Sequence, residues 1–391
     1  MILALKLAYR NLIGAGLRTW LNVIILSFSF VLIIFMKGII SGWDQQAKTD
    51  MKNMEIGGGQ YWHESYDPFD PFTLTDSHAP VPPEFMEEIN AGDMVPVLIT
   101  PGTIYPQDRL QSVVIKGIYP GQRLFALPTR SLDTVYDAIP AMIGALMAKS
   151  LKASKGDVMI LRWRDVNGTF DAREIMIAEI FSSNVPQIET GQIYVPLETL
   201  RNMMQMPDEA TILTFRDSEK TRPDMQKWVL KTTGELTSSI DSLIKTKTVG
   251  QTVLFLILLL LALLAVFDTQ VLSIFRRQKE IGTYIALGYT RSQVVGLFTI
   301  EGTMHAILAA ILSVVYGLPF LAWMAKSGLH MPIDTSEFGM AIAQTLYPVY
   351  PAGLIIMTII TVTTATAVVS YWPSRRISRM NPTDALRGKL Q

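Results

Sequence analysis

The stretch that decides the fold is RRQKEIGTYIALGYTRSQVVGLFTIE, which runs from Arg276 to Glu301. One hydrophobic run ends just before it and another begins inside it, so its basic first half lies between two apolar segments. Basic residues close to membrane spans are retained on the cytoplasmic side. The stretch therefore predicts a short basic helix between two membrane spans, at a place where a membrane protein receives force from a soluble partner.

Apolar residues are concentrated in four windows of a chain that is 49% hydrophobic and only 17% charged. Val253–Phe267 is apolar without a break, and Leu21–Met36, Gly296–Met324 and Pro351–Trp372 are nearly as apolar. A spanning helix needs about 20 mostly apolar residues, which each window supplies once its flanks are included. Transmembrane helices are predicted over residues 20–42, 248–275, 296–324 and 351–372, with buried core helices as the alternative.

The distribution of charge predicts the orientation of these helices. Residues 43–247 carry 20 Lys and Arg against 28 Asp and Glu, whereas residues 1–19, 276–295 and 373–391 together carry 12 against 2. By the positive-inside rule, both termini and the 276–295 loop are cytoplasmic, and residues 43–247 and the short loop 325–350 are outside. The predicted fold is a membrane protein with four transmembrane α-helices, one before and three after a large α+β extracytoplasmic domain.

The N-terminal region carries further signals. Residues 2–18 alternate apolar and basic positions at helical spacing, which predicts an amphipathic helix on the inner leaflet. A longer, tilted first span is the alternative. No small-residue cleavage pattern follows the first apolar window, which indicates an uncleaved signal anchor. The chain has no cysteine, which excludes disulfides and thiol chemistry and fits a bacterial envelope protein.

The extracytoplasmic region is long enough for one or two domains and carries mixed α and β signals. Strands are predicted at Met94–Thr100, Ser112–Ile118, Asp157–Trp163, Arg173–Phe181, Gln192–Val195 and Thr211–Phe215, and helices at Ile139–Ser154, Leu197–Met204 and Asp224–Thr233. Asn167-Gly168 is a hairpin-turn signal between two of the strands. The glycine- and proline-rich segment 57–83 is predicted to be poorly ordered, and the histidines within it, His63 and His78, form no metal-binding pattern.

The motifs of common enzyme classes are absent from the sequence. It contains no G-x-x-x-x-G-K-[ST] P-loop, no G-x-S-x-G elbow and no H-E-x-x-H motif. The run Gly57-Gly58-Gly59 precedes neither a basic residue nor a predicted helix, so it is not a phosphate loop. We therefore expect no catalytic, cofactor-binding or metal-binding residues in this chain, no nucleic-acid partner, and any ATP to be bound elsewhere.

Three segments carry a family resemblance. LAYRNLIGAGLRTWLNVIIL (Leu7–Leu26) is similar to A-x-R-N-L…R-T-x-L-T, with Asn22 where Thr or Ser is usual. The segment from Arg276 resembles R-x-x-E-I-G-x-L-x-A-L-G-x-x-x-x-x-I-x-x-x-F-x-x-E, and PSRRISRMNPTDALRG (Pro373–Gly388) resembles P-A-x-x-x-x-x-x-x-P-x-x-A-L-R. These motifs are typical of the FtsX/MacB/LolC-type permeases of ABC transporters. VVIKGIYPG (Val113–Gly121) and the region from Lys155 to Pro196 are similar to the extracytoplasmic domain of MacB and LolC/LolE.

The resemblance implies a permease subunit that transmits an ATP-driven conformational change from a separate ATPase to its periplasmic domain. It implies two copies of that ABC ATP-binding subunit, which hold ATP and Mg²⁺, and a dimer with a second copy or a paralogous permease. A bacterial inner-membrane location, membrane lipids and a periplasmic acceptor protein are expected with it.

The cargo is less defined by the resemblance. Lipoprotein release or export of lipid-like, amphipathic cargo is expected first. MacB-like small-molecule efflux and FtsX-like regulation of cell-wall hydrolases are the alternatives, followed by a sensor or scaffold with no transport cycle.

Three groups of residues are predicted to serve this mechanism. Coupling to the ATPase is assigned to Arg277, Lys279, Glu280, Ile281, Gly282, Ala286, Leu287, Gly288 and Arg291. A bundle rim is assigned to Asp268, Glu301 and Arg375, because acids near span ends are functional candidates and can pair with arginines such as Arg276. A proton relay is the alternative for these acids. A small-residue face for helix packing is formed by Gly302, Ala306, Ala309, Ser313 and Gly317.

The coupling segment has its own predicted local structure. A helix is expected over 277–287, with a break at Gly288 because glycine is favoured just past a helix end. Ile281, Ile285 and Val294 are expected to face lipid or the spans, and Arg277, Lys279 and Arg291 the cytosol.

Overall fold

The computed structural model describes residues 17–106, 109–134, 137–183, 186–216, 225, 227–330 and 345–376. Within these residues, four helices are long and apolar enough to cross a membrane. With helices numbered in chain order, they are α1 (Leu17–Met51), α7 (Ser238–Arg276), α9 (Arg291–Ser327) and α10 (Ala352–Ser374). A short helix, α8 (Gln278–Ala286), lies between α7 and α9. The amphipathic helix predicted at 2–18 and the C-terminal motif fall largely outside the described residues.

The described residues divide into two compact units. The helical unit takes the described parts of Met1–Gly42, Ile244–Leu329 and Tyr347–Gln391, and the second unit takes those of Trp43–Leu243 and His330–Leu346. The strands are β1 (Gly59–His63), β2 (Ala79–Pro80), β3 (Met94–Ile104), β4 (Gln111–Ile118), β5 (Ile139–Gly144), β6 (Val158–Arg164), β7 (Phe170–Phe181), β8 (Gln192–Pro196), β9 (Glu209–Ala210), β10 (Ile212–Phe215), β11 (Trp228–Thr232), β12 (Leu329–His330) and β13 (Thr345–Leu346). The short helices are α2 (Met86–Ala91), α3 (Ala145–Leu151), α4 (Pro186–Glu189), α5 (Leu197–Met204) and α6 (Thr233–Leu236).

Six strands of the second unit close into a ring. The main sheet has the order β11-β1-β10-β3-β4-β8-β5-β7-β6, and β6 also pairs with β3. Alternate side chains of a strand point to opposite faces, so Ile115 of β4 and Ile193 of β8 fill the ring interior with Trp163 of β6. The neighbouring residues Val114 and Lys116 lie on the outer face. Strands β10, β1 and β11 extend the sheet beyond the ring.

The predicted hairpin is confirmed. Strands β6 and β7 pair antiparallel on either side of Asn167-Gly168, and Gly168 has a φ of +83°. That left-handed backbone conformation is the one in which glycine has no steric penalty. The strands predicted at Met94–Thr100, Ser112–Ile118, Gln192–Val195 and Thr211–Phe215 and the helix at Leu197–Met204 are also present.

Three predictions for the second unit were wrong in whole or in part. The helix expected at Ile139–Ser154 is present only as α3 (Ala145–Leu151), whereas Ile139–Gly144 is strand β5 because it pairs in parallel with β7. The helix expected at Asp224–Thr233 is replaced by strand β11, which pairs with β1 and buries Trp228. The segment expected to be poorly ordered contains β1, which is held on both sides by β10 and β11. In each case long-range pairing outweighs local preference.

The helical unit is held together by apolar packing and a few polar contacts between helices. Its core contains Phe30 of α1, Val266 of α7, Ala309 of α9 and Val362 of α10. The Asn22 amide donates a hydrogen bond to Thr269 Oγ1 at 2.5 Å, which joins α1 to α7. A polar contact of this kind satisfies groups that lipid cannot.

Candidate functional site at the Arg276–Glu301 segment

The segment that decides the fold is a helix, a tight turn and the start of a second helix. Helix α8 ends at Ala286, and Gly288 follows with a φ of +96° and an amide that donates to the Ile285 carbonyl at 3.1 Å. Thr290 then caps α9 in a capping box with Gln293. Glycine is needed at 288 because the turn adopts the left-handed conformation.

Arg277 ties the beginning of α8 to α9. Its Nη1 donates to both carboxylate oxygens of Glu301, at 2.7 and 2.9 Å, and its Nε donates to Glu280 at 2.7 Å. The guanidinium also lies over the Phe298 ring, 4.9 Å from the ring centre. The Arg277 side chain is only 18% exposed and that of Glu301 only 9%. The expectation that Arg277 faces the cytosol is therefore corrected, because two carboxylates draw it inward.

The pKa of the Arg277 guanidinium depends on both its burial and its two acidic neighbours. Burial of the guanidinium by itself lowers its pKa, but the charge of Glu301 and the hydrogen bonds to Glu280 and Glu301 outweigh it, so the pKa is raised. Arg277 is a permanent cation, and its guanidinium lies against the carboxyl group of Glu301 in the third turn of α9.

The underside of α8 is apolar and buried. Ile281 is fully buried and packs with Val294 and Phe298 of α9 and Ile274 of α7, and Ile285 is partly buried against the same cluster. Gly282 is buried as well. The prediction that Ile281, Ile285 and Val294 face the spans is confirmed. Ile281 and Gly282 thus lie on the packed side of α8, not on its free side.

The opposite face of α8 and the turn are exposed. Among the predicted coupling residues, the exposed ones are Lys279, Glu280, Ala286, Leu287, Gly288 and Arg291. Leu287 is 72% exposed and lies in the turn that follows α8. A large apolar side chain held in the open at a turn is suited to contact with another protein.

The predicted bundle rim is only partly assembled in this chain. Glu301 is buried against Arg277, whereas the side chains of Asp268 and Arg375 are exposed. The roles of Asp268 and Arg375 stay predictions.

The small-residue stripe of α9 lies largely inside the helical unit. Gly302, Ala306, Ala309 and Gly317 are buried, and Ser313 is half-buried. A Cβ atom at Gly302 would lie 2.3 Å from Ser370 Oγ and 2.9 Å from Gln270 Nε2. Close approach of α9 to α7 and α10 therefore depends on the missing side chain at 302.

A cluster of buried polar side chains beside Gly302 was not predicted from the sequence. In the part of the chain that the structure describes, Gln270 Oε1, His305 Nε2 and Ser370 Oγ are buried without a hydrogen-bond partner. The signal available was a polar side chain in each of three apolar spans, Gln270, His305 and Ser370, because polar groups are costly in a membrane and mark functional candidates.

Comparisons with known proteins bear on the same region. Residues 252–382, which include α8, α9 and α10, match the family described as FtsX-like permease C-terminal. The macrolide export ATP-binding/permease protein MacB of Agrobacterium fabrum is 22% identical over 234 residues, which cover 56% of this chain and 34% of that protein. MacB 2 of Yersinia pestis bv. Antiqua is 22% identical over 234 residues, which cover 56% of this chain and 32% of MacB 2.

Among solved structures, the extracellular domain of the noncanonic ABC-type transporter YknZ from Gram-positive bacteria matches 42% of this chain and 83% of its own, at 14% identity and a TM-score of 0.25. The chain spans about a third of the length of the curated relatives it matches. Residues 252–382 thus match the FtsX-like permease C-terminal family, and the chain, with its four apolar helices, is similar to ABC transporter permeases of the FtsX/MacB type.

Proposed function

We propose that this chain transmits the motion of a separate ABC ATP-binding subunit to its own outer domain. The four long helices span the bacterial inner membrane with both termini in the cytoplasm, and the unit that contains β1–β11 is periplasmic. The permease works as a dimer with two copies of the ATP-binding subunit, which hold ATP and Mg²⁺. The 391 residues contain no P-loop motif.

The observation that carries the proposal is the attachment of α8 to the helical unit. Arg277 is bonded to Glu280 and Glu301, and Ile281 is fully buried, so α8 is fixed to α9 at its beginning and along its underside. A force on its exposed face is passed to α9 instead of being lost in bending. Such transmission requires two arrangements of the helices that bind the ATP-loaded and empty partner differently.

The exposed tip of α8 is the proposed docking point. Leu287 offers an apolar contact at the turn, with the exposed cation Arg291 four residues further on, and the exposed Lys279 lies at the other end of α8. Apolar anchors surrounded by polar residues are the usual arrangement at a protein interface. Docking is assigned to the exposed coupling residues, and Ile281, Gly282 and Arg277 are assigned the fixing of α8.

Helices α1 and α7 are proposed to pass the motion to the outer domain, because both continue from the helical unit into the second unit. Within that unit, Lys48 Nζ of α1 lies 2.5 Å from Asp241 of α7. The pair joins the last turn of α1 to the first turn of α7. Motion of the two helices then reaches β1 and β11, which adjoin those ends in the sequence.

Lipoprotein release or transport of another lipid-like, amphipathic cargo is the favoured outcome of this motion. MacB-like efflux is the second candidate, supported by the names of the relatives, which are macrolide exporters. FtsX-like control of cell-wall hydrolases remains the third.

Copurification from the native membrane tests the proposal. The tagged chain is expected to bring down a P-loop ATPase, and Leu287→Asp is expected to abolish that association while the permease stays monodisperse. Leu110→Asp is the matched control, because Leu110 is a comparably exposed leucine, 66% exposed, in the outer unit. Absence of an ATPase from the wild-type sample, or equal loss with both variants, would contradict the proposal.

A further inference from the structure

The second unit contains a cavity of about 840 Å³ on the outer face of its sheet. This volume is within the range of about 300–1,000 Å³ that is typical of small-molecule sites. Its wall is formed by residues that alternate with those of the ring interior: Val114 and Lys116 of β4, Val97 and Ile99 of β3, and Tyr194 of β8. The segment 66–74, together with Phe125 and Leu127, forms the other side.

Most of the wall is apolar, and several of its polar side chains form hydrogen bonds or ion pairs with one another. Trp62 Nε1 donates to Gln60 Oε1 at 2.6 Å, and the Gln60 amide donates to Thr214 Oγ1 at 3.1 Å. Lys116 Nζ lies 2.5 Å from Glu55, so this buried charge is paired within the wall. These groups need no hydrogen bonds from an occupant. A wall of this kind favours an apolar body over a polar one.

One cation of the wall stands apart from this network. Lys231 lies with its Nζ 5.8 Å from the centre of the Trp62 ring, and no carboxylate among the residues that the structure describes forms an ion pair with it. The cavity therefore offers an occupant the ammonium of Lys231 in addition to its apolar wall. Its lining also carries the carboxylates of Glu64, Asp67 and Glu235, of which Asp67 and Glu235 already accept hydrogen bonds from backbone amides.

The edge of the cavity carries exposed aromatic side chains. Phe69 lines the cavity and is 85% exposed, and Phe72 in the same segment is 88% exposed. The segment is held in place by Asp67, which accepts a hydrogen bond from the Phe69 amide at 2.9 Å. Exposed phenylalanines beside an apolar cavity give a hydrocarbon chain a surface to contact before it enters.

We propose that this cavity binds the acyl chain of an amphiphile whose anionic head group lies beside Lys231. The apolar wall takes the chain, and Lys231 is the charge complement of the head. As a cargo site it rests on the proposed function, whereas binding itself is testable without the ATPase. A free fatty acid and an acyl chain attached to a peptide share this chemistry.

Photo-crosslinking of the full chain in nanodiscs tests the binding. A diazirine-bearing palmitic acid is expected to label peptides that contain Val97, Ile99 or Val114. Val114→Trp, which fills the cavity, is expected to reduce the labelling at least about tenfold, because several buried CH₂ contacts are lost. Val158→Trp is the matched control, a valine on an exposed strand position outside the cavity. Equal labelling of the two variants would overturn the proposal.

Head group and chain length provide separate readouts. Lys231→Gln is expected to weaken binding of the anionic probe about fivefold and to leave a neutral hexadecanol probe unchanged. Affinity is expected to rise about fourfold per CH₂ group until the cavity is filled. An affinity independent of chain length, or an equal loss for both probes, would contradict an acyl-chain site.

Further comparisons identify the molecule that carries the acyl chain and test the binding proposal separately from the transporter proposal. Stronger labelling by an N-palmitoyl peptide than by free palmitic acid would assign the site to acylated protein, and the reverse to free lipid. Displacement of the probe by a neutral macrocycle but not by palmitic acid would overturn the proposal in favour of an efflux site. Labelling of the cavity without a copurifying ATPase would support acyl-chain binding and contradict the transporter function. A copurifying ATPase without labelling of the cavity would support the transporter function and contradict acyl-chain binding.

Discussion

Arg277 Nη1 lies 2.7 and 2.9 Å from the two carboxylate oxygens of Glu301, across 24 residues of sequence. The pair encloses all of α8, because Arg277 directly precedes α8 and Glu301 lies in the third turn of α9. It closes the helix–turn–helix unit at its base, while the apolar tip at Leu287 stays free.

Arg277→Gln is expected to destabilise the helical unit by about 2 kcal/mol. This is below the ~3–5 kcal/mol for breaking a fully buried pair, because Arg277 retains some contact with water. Thermal unfolding of the full chain in nanodiscs measures the change, and Arg276→Gln, at an exposed neighbouring arginine, is the control. If Arg277→Gln/Glu301→Gln costs as much as the two single variants added together, the two residues are not coupled.

Gly302→Ala is expected to destabilise the packing of α9 by about 1–3 kcal/mol, because the new methyl overlaps Ser370. Gly296→Ala, on the same helix with open space around it, is expected to be neutral or to stabilise by up to about 1 kcal/mol. Thermal unfolding again provides the measurement. Recovery of stability in Gly302→Ala/Ser370→Gly identifies the overlap as the cause, and equal effects at 296 and 302 would exclude it.

Gly288→Ala is expected to cost about 1–2 kcal/mol through the backbone alone, since a residue with a Cβ is strained at a φ of +96°. No atom lies within 4 Å of the new Cβ, so packing is unaffected. The distortion changes the presentation of Leu287, and ATPase stimulation by the reconstituted permease should fall more than binding of the ATPase. A variant that stimulates normally would show that the turn geometry is not used in coupling.

His63 is expected to make the outer unit less stable in acid. Burial lowers the pKa of His63, and its Nδ1 accepts a hydrogen bond from the Ser65 amide at 3.2 Å, which protonation would remove. The unfolded chain, with a pKa of about 6.5, then binds the proton more readily than the folded one. Stability is complete above pH 6.5 and falls as the pH drops towards the folded pKa.

Unfolding temperatures at pH 7.5 and pH 5 measure this dependence. The His63→Gln variant should show a smaller difference between the two pH values than the wild type does. His330→Gln, at an exposed histidine, should keep the wild-type difference. A pH response that is the same in His63→Gln and the wild type would rule His63 out as its source.

Local chemistry made part of the fold predictable. The turn at Asn167-Gly168 and the break at Gly288 follow from the backbone freedom of glycine, which needs no knowledge of distant residues. Strand β5 was mistaken for helix because a short apolar run fits both periods. Its state is decided by parallel pairing with β7, more than 30 residues away in the sequence.

Part of the candidate site was also predictable from the sequence, and part depended on distant residues. The motif from Arg276 onward indicated a coupling helix, and it correctly placed Ile281 and Val294 towards the spans. It could not indicate that Arg277 turns inward, because that depends on two carboxylates converging on one guanidinium. The cavity of the outer unit left no sequence signal, since its wall residues come from separate strands.

The sequence by itself determined the four apolar helices, the basic segment between two of them and the glycine-bearing turns, because hydrophobicity, charge and backbone freedom are properties of neighbouring residues. Only the tertiary structure decided the ring closure of β3 with β6, the Arg277–Glu301 pair and the cavity beside Lys231. Each of these joins residues that are far apart in the chain. Their contact depends on how whole strands and helices pack, which no local pattern records.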